Sequence, residues 1–215
     1  MINDLDKNFL KENIKFYNKL TLEEKELFDS KATHTNIEKN KLIHMSENDC
    51  SGLIIVLSGS LRAFLTSAEG KEITIYRLLP NDTCILSASC IFNNINFNIN
   101  IETSEYSEVI ILPSNYLSKL SKSNSSLQEY LLEVTQSKLS EVMWIVEQIV
   151  FTSFDKRLLN YLEKCNSKII KITHETIAKD LGTAREVVSR MLKYFEKEGM
   201  VKLSRGTIEI INLNK

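Results

Sequence analysis

The fold of this 215-residue chain is decided by one stretch, Ile172-Thr-His-Glu-Thr-Ile-Ala-Lys-Asp-Leu-Gly182-Thr-Ala-Arg-Glu-Val-Val-Ser-Arg-Met-Leu192. Thr173 can cap a first helix, with Glu175 in its first turn, because a threonine hydroxyl accepts a hydrogen bond from an otherwise unpaired amide there. Gly182 has the backbone freedom that ends such a helix, and Thr183 can cap a second one. The stretch therefore predicts two helices joined by a tight turn.

The second of these helices has one apolar and one polar face. Spacings of three and four residues place its apolar side chains on one buried stripe, Val188, Met191, Leu192 and Phe195. An arginine pairs with guanine O6 and N7 in the major groove of DNA, and a carboxylate accepts from cytosine N4. Such groove-binding residue types occupy the opposite face and its edge, namely Arg185, Glu186, Ser189, Arg190 and Lys193.

Glu186 has two interpretations. In Thr183-Ala-Arg-Glu186 it is the last member of a capping box, in which a carboxylate binds the amide of the capping residue. DNA phosphates repel a carboxylate, so its place beside arginines favours a specific contact with a base. The sequence favours the base contact and leaves the cap open.

A hairpin follows the second helix. The runs Val201-Lys-Leu203 and Ile208-Glu-Ile210 flank a turn that contains Gly206, which predicts the wing of a winged helix. Arg205 at the tip of the wing either contacts phosphate or is a solvent-exposed turn residue.

Charge is distributed unevenly along the chain. Residues 155–215 hold 13 Lys and Arg against 8 Asp and Glu, whereas residues 1–154 hold 14 against 20. The basic C-terminal part favours a polyanionic partner.

The sequence lacks a membrane-spanning apolar run and a signal peptide, and its four cysteines do not form a disulfide framework. We therefore expect a cytoplasmic protein with no membrane partner.

Upstream of this region, helical periodicity runs without Gly or Pro from about Ser126 to Val150. Apolar or small residues at alternating spacings of three and four form a heptad seam, Leu132, Thr135, Leu139, Val142, Val146 and Ile149. A second apolar set flanks the seam, including Leu127, Leu131, Val134, Met143 and Val150. A helix with two apolar faces either packs on its own domain and on a second copy, or lies in the core of a monomer.

Short helices are predicted for the first 30 residues, and short strands for Thr33 to Pro113. The strand runs include Leu53–Leu57, Leu61–Leu65 and Ile73–Leu79, with turn residues between them. Many short strands at near-regular spacing predict a β-roll or barrel.

These residues resemble the Crp/Fnr family of bacterial transcription regulators over essentially the whole chain. The resemblance implies an α+β fold with a sensory β-roll domain at 1–125 (a double-stranded β-helix related to cyclic-nucleotide-binding domains), a dimerisation helix at 126–151 and a winged helix-turn-helix at 152–215. It also implies a homodimer on palindromic double-stranded DNA, with RNA polymerase as a further partner and no enzyme activity.

Within the recognition motif, Arg185-Glu186 with Arg190 resembles the cyclic-AMP receptor branch, whereas Glu186-x-x-Ser189-Arg190 resembles the Fnr branch. The resemblance implies a half-site similar to TGTGA or TTGA and leaves open which. Base contacts are expected from Arg185, Glu186 and Arg190, and a base or phosphate contact from Ser189. The other expected DNA-binding residues are Thr173, Thr183, Lys193 and Arg205.

The sensory part departs from known ligand motifs of the family. Cyclic-nucleotide binders carry Gly-Glu-Leu and a following Arg, because the cyclic phosphate needs a guanidinium and amide donors. Here Pro80–Cys90 has Ile85 and Leu86 in place of Gly-Glu, and no arginine lies between Arg77 and the long helix. The sequence therefore argues against cyclic AMP, and the absence of clustered N-terminal cysteines argues against an Fnr-type iron-sulfur cluster.

Other effectors stay open. Cys84 and Cys90, expected in the short helix of this stretch, are either packed thiols or a thiol switch, a metal site or a site of covalent modification. His34, His44 with Met45, and His174 are of the types that bind haem iron, but their spacing does not select haem, and no metal site is assigned. The competing hypothesis is a ligand-responsive module whose winged helix binds protein instead of DNA.

Overall fold

The structure is a computed structural model that describes residues 1–44, 52–85 and 99–213. Three helices begin the chain, α1 (Asp4–Asn13), α2 (Lys15–Asn18) and α3 (Leu22–Lys31). Capping boxes start the two longer ones, from Asn3 with Asp6 in α1 and from Thr21 with Glu24 in α3. The predicted short helices are therefore present.

The middle of the chain folds into two four-stranded sheets, which confirms the predicted β-roll. The first has the order β1-β8-β3-β6 and the second β2-β7-β4-β5. In the described residues, the strands are β1 (Thr33–Ile37), β2 (Leu42–His44), β3 (Leu53–Ser58), β4 (Leu61–Thr66), β5 (Glu72–Leu78), β6 (Thr83–Cys84), β7 (Ile99–Thr103) and β8 (Ser107–Leu112). Strand β8 pairs antiparallel with both β1 and β3.

The structure corrects the short helix expected to contain Cys84. Cys84 instead lies on β6, where it pairs with Ile54 of β3, and its side chain is buried. Its Sγ lies 3.9 Å from the hydroxyl of Tyr76. The turn before β6 explains the strand, because the Asp82 carboxylate accepts the Leu79 amide and directs the chain back along β3. Cys90 and Leu86 lie outside the described residues.

Two helices follow the sheets, α4 (Ser114–Ser123) and α5 (Ser125–Phe151). The 27 residues of α5 match the predicted long helix. Leu127 and Leu131 in its first turns are buried, whereas Leu139 and Val146 in its second half are 59% and 45% exposed. No helix in the described part of the chain is long and apolar enough to cross a membrane.

The chain divides into two compact units, residues 1–64 with 76–141 and residues 65–75 with 142–215. In the first unit, aromatic residues of the N-terminal helices pack on the start of α5. The Phe16 ring centroid lies 6.1 Å from that of Phe28 and 5.0 Å from that of Tyr130. Tyr17 donates a 2.7 Å hydrogen bond to Asp29. The start of α5 is therefore anchored in this core, and the helix belongs to the first unit as far as Glu141.

The second unit contains the predicted winged helix. Its elements are α6 (Phe154–Lys164), β9 (Ile169–Ile170), α7 (His174–Leu181), α8 (Arg185–Lys197), β10 (Val201–Ser204) and β11 (Thr207–Ile210). The three strands form a sheet of order β10-β11-β9. Buried apolar side chains from every element form one core, including Leu158, Ile170, Ile177, Leu192 and Ile208.

Candidate nucleic-acid interface

Helix α7 begins and ends where the sequence predicts. The hydroxyl of Thr173 accepts the Thr176 amide at 3.0 Å, which satisfies one of the unpaired amides of the first turn. Gly182 ends the helix in the left-handed conformation, with φ of 64°. A side chain other than glycine is strained there. The two residues therefore fix the length of α7 and the turn that leads into α8.

The start of α8 differs from the prediction, because its N-cap is Ala184 and it has no side-chain cap. The amide of Thr183 still donates to the Ala178 carbonyl at 3.0 Å, so Thr183 belongs to the turn that closes α7. Glu186 is consequently the second helical residue and not the third, where a capping-box partner belongs. The predictions of a Thr183 cap and a capping box with Glu186 are wrong in this structure.

The two faces of α8 lie as predicted. Val188, Leu192 and Phe195 are buried in the core of the second unit, and Met191 is half-buried. Four predicted DNA-binding side chains are exposed on this helix, Arg185, Glu186, Arg190 and Lys193. With the capping role removed from Glu186, all four are available to a ligand that lies along α8.

Ser189 differs from those four residues, because it is half-buried and bonded to another side chain. Its Oγ lies 2.8 Å from Nδ1 of His174, the first residue of α7. Burial and then the nearby charge of Arg185 hold the pKa of His174 below its ordinary value. The two helices are therefore joined by a hydrogen bond at the polar face.

A groove runs between the start of α7, the start of α8 and the wing. Thr173, His174 and Glu175 line it from α7, Arg185 lines it from α8, and Arg205 lines it from the turn of the wing. The structure thus brings Thr173, Arg185 and Arg205 to one concave surface. Thr183 is half-buried in the turn between the helices.

The inner side of α7 is anchored by polar contacts within the second unit. The Asp180 carboxylate accepts hydrogen bonds from the hydroxyls of Tyr161, at 2.7 Å, and Thr74, at 2.8 Å. Arg157 of α6 donates to the carbonyl of Leu181 at 3.0 Å. Because α7 is held along this side, the start of α8 and its exposed face have a fixed support.

Sequence reasoning missed two side chains of this region. His174 was considered only as a haem ligand, whereas the structure places it at the start of α7 in hydrogen-bond distance of Ser189 on α8. Tyr194 is 55% exposed on α8, four residues after Arg190. A spacing of four residues places Tyr194 one helical turn after Arg190 on the same face, so the sequence could have identified it as an exposed neighbour of Arg190.

The other candidate sensing residues are tied into the structure where it describes them. Both ring nitrogens of His34 are hydrogen-bonded, Nδ1 to Asp6 at 2.7 Å and Nε2 to Asn36 at 2.9 Å. The described residues contain no cluster of three or more His, Cys, Asp or Glu suited to a metal ion. The His44 side chain and Met45 lie outside the described part.

Comparison with known proteins gives matches along most of the chain. Residues 34–124 match the cyclic nucleotide-binding domain, and residues 156–215 match the Crp-like helix-turn-helix domain. A crystal structure of a putative transcriptional regulator of the Crp/Fnr family from Eubacterium rectale is 40% identical, with a TM-score of 0.90 over 94% of this chain and 96% of that one.

Two curated relatives are more distant. The anaerobic regulatory protein of Bacillus subtilis is 24% identical over 192 residues, which cover 84% of this chain and 80% of that protein. The cyclic AMP receptor protein of Thermus thermophilus is 26% identical over 162 residues, 74% of each chain.

Proposed function

Since the chain belongs to the Crp/Fnr family of transcription regulators and ends in a Crp-like helix-turn-helix domain, we propose that it works as a homodimer on a palindromic operator. In this proposal residues 1–125 are the sensory part, residues 126–151 the dimerisation helix and residues 152–215 the DNA-binding part. RNA polymerase is the further partner through which such a regulator acts, in the cytoplasm where the operator lies.

The observation that carries the dimer is the apolar strip, the exposed side chains of Leu132, Leu139, Met143, Val146, Ile149 and Val150 on α5. Six large apolar side chains along one helix form a contiguous patch of the kind that marks a protein interface. Four of them belong to the heptad seam, whose spacing is that of two helices packed side by side. A second copy of the same helix fits this pattern.

The exposed face of α8 supports the DNA-binding part of the proposal. Arg185, Glu186 and Arg190 are assigned to bases, and Ser189 to a base or a phosphate. Thr173, Thr183, Lys193 and Arg205 are assigned to positioning contacts, because hydroxyls, lysines and the wing arginine suit phosphate oxygens. In a dimer, the two half-sites must lie about 34–36 Å apart so that both recognition helices enter the major groove on one side of the duplex.

The effector is proposed to be something other than a cyclic nucleotide. The match at residues 34–124 accounts for the β-roll, but the chain has no arginine between Arg77 and α5 to bind a cyclic phosphate. We assign sensing to Cys84 with Cys90 through thiol chemistry, and haem is the alternative. An absorbance spectrum and a native mass of anaerobically purified protein distinguish haem, an iron-sulfur cluster and a bound metabolite.

The experiment that tests the DNA-binding proposal is selection from a randomised duplex library with the full-length protein, followed by a native mass of the complex. We expect an enriched palindrome and two protein chains per duplex. A single half-site bound by one chain contradicts the dimer. A winged helix that enriches no sequence and retains proteins instead supports the competing interaction module.

A further inference from the structure

His174 joins the two helices of the motif on the side that faces the groove. Its Nδ1 lies 2.8 Å from Oγ of Ser189, although the two residues are 15 positions apart in sequence. Both side chains are half-buried, and the imidazole lines the groove together with Arg185 and Arg205. The ring is therefore placed beside Ser189, which is less exposed than Arg185, Glu186 and Arg190, the other residues of α8 expected to contact bases.

We propose that His174 is a positioning residue that fixes the direction of the Ser189 hydroxyl and so sets the preference for one base pair of the half-site. This inference rests on the proposed DNA-binding function. A serine hydroxyl carries one donor and two acceptor sites and rotates to suit its neighbours. A partner that holds the hydroxyl leaves it either a donor or an acceptor towards DNA. A group that is only a donor or only an acceptor discriminates between base edges.

The protonation state of the imidazole determines which role that is. The neutral ring that carries its proton on Nε2 accepts a hydrogen bond from the Ser189 hydroxyl at Nδ1, and Ser189 then turns its lone pairs to the groove. It then suits the exocyclic amino groups of adenine or cytosine, which are the donors of the major groove. When the imidazole is protonated, Nδ1 donates to Oγ, and the hydroxyl proton is free to bind guanine or thymine acceptors. The preferred base therefore depends on the charge of His174.

Burial and the charge of Arg185 favour the neutral imidazole in the free protein. Glu175 of α7, Arg185 of α8 and Arg205 of the wing line the same groove. Burial and the Arg185 charge lower the pKa of His174. The neutral form is therefore the one present at neutral pH. Acidification through this lowered pKa converts Ser189 from an acceptor to a donor.

The test is a double-mutant cycle read out as sequence preference. Full-length wild-type, His174→Ala, Ser189→Ala and the double variant are each used in selection from a randomised half-site library. We expect each single variant to lower the preference at the same base pair about fivefold, the value of one hydrogen bond, and the double variant to lower it no further. Arg205→Ala is the matched control. Loss of a contact to phosphate should lower the affinity for all sequences alike and leave the preference at each base pair unchanged.

His174→Asn and a pH series separate positioning from a merely structural role. An asparagine amide reaches the place of Nδ1 but does not titrate, so we expect this variant to keep the preference at neutral pH. As the pH is lowered from neutral through the lowered pKa of His174, below the ordinary histidine range, the wild-type preference should change at that base pair and that of His174→Asn should not. Thermal melting of each variant shows whether it is folded, and the His174→Asn comparison stands if His174→Ala is not.

The outcomes that overturn the inference are specific. One is additive effects of the two substitutions, and another is a preference unchanged in His174→Ala but lost in Ser189→Ala. A uniform loss of affinity in Ser189→Ala assigns this hydroxyl to phosphate and also overturns it. Failure of the wild-type protein to enrich any palindrome overturns the proposed function itself, and the inference with it.

Discussion

Helices α5 and α8 each present an exposed surface that we assign to a partner, and the chemistry of the two surfaces is opposite. The apolar strip of α5 carries no charged side chain, whereas the exposed face of α8 presents Arg185, Glu186, Arg190 and Lys193. Burial of apolar area is the main source of affinity for the first kind of surface, and displacement of counterions from phosphates for the second. The residue composition of an exposed helix face therefore indicates the kind of partner, an apolar surface for α5 and a polyanion for α8.

Because the two surfaces rely on different forces, salt separates them. Raising the salt concentration weakens phosphate contacts steeply but leaves burial of apolar area intact. The dimer mass should persist under conditions that release DNA. Substitutions in the apolar strip should likewise change the native mass, whereas substitutions on α8 should change DNA binding only.

The largest expected effect comes from a charge placed in the apolar strip, by Val146→Asp. Two copies of the new carboxylate meet at the helix pairing, where they are desolvated and repel each other. We expect a monomer by native mass. The affinity for the palindrome should fall about a hundredfold or more, because the second half-site is no longer bound intramolecularly.

Ser137→Asp is the matched control, because it adds the same charge at an exposed position on the opposite side of α5. It should remain dimeric and bind DNA as the wild type does. A dimeric Val146→Asp with unchanged DNA affinity would show that the apolar strip is not the dimer interface.

The next largest effect is expected on α8, from Arg190→Ala. The loss of a bidentate contact to guanine costs about 1–3 kcal/mol at one base pair, so discrimination there should fall by about five- to 150-fold. Competition binding with single-substitution half-sites measures this change. Arg205→Ala should instead lower affinity uniformly and reduce the slope of affinity against salt by about one. Unchanged preference in Arg190→Ala would remove this residue from base recognition.

The sequence predicted much of this contrast because the spacing of apolar residues shows which side of a helix is apolar. The buried stripe of α8, the Thr173 cap, the Gly182 turn and the length of α5 follow from spacing and residue type alone. The Thr183 cap failed because α8 begins one residue later, with Ala184 as its N-cap. The Thr183 amide, which the glutamate of a capping box would bind, donates to Ala178 instead, and a sequence does not show this competition. The His174 contact with Ser189 depends on the angle between two helices, which local patterns do not determine.

The sensory part was less predictable for the same reason. Cys84 was assigned to a short helix by analogy with the family, but two-residue pairing with β3 places it on a strand. Such short pairing depends on the position of a partner strand about 30 residues away and leaves no periodic signal.

A smaller effect on DNA binding is expected from Asp180→Ala, because this carboxylate anchors α7 and α7 supports the start of α8. Its removal leaves the hydroxyls of Tyr161 and Thr74 without this acceptor, at a cost of about 1–3 kcal/mol. We expect a lower unfolding midpoint in urea and weaker DNA binding, with the dimer mass unchanged. Glu163→Ala, at an exposed position of α6, is the control and should change neither. Equal midpoints for the two variants would show that Asp180 does not anchor α7.

The smallest effect is expected on the stability of the first unit, from the pair of His34 and Asp6. This pair belongs to neither the apolar strip nor the exposed face of α8. Burial lowers the pKa of His34, but hydrogen bonds to Asp6 and Asn36 and the charges of Asp6 and Glu108 outweigh it, so the net shift is upward. The stabilisation is therefore complete below the ordinary pKa of histidine and is lost as the pH rises through the raised pKa of the folded protein. Because the pair is partly solvated, we expect less than about 1 kcal/mol. His34→Gln should flatten the pH dependence of the unfolding free energy in urea. It should leave the dimer mass and the pH response of base preference as they are, since the latter is assigned to His174.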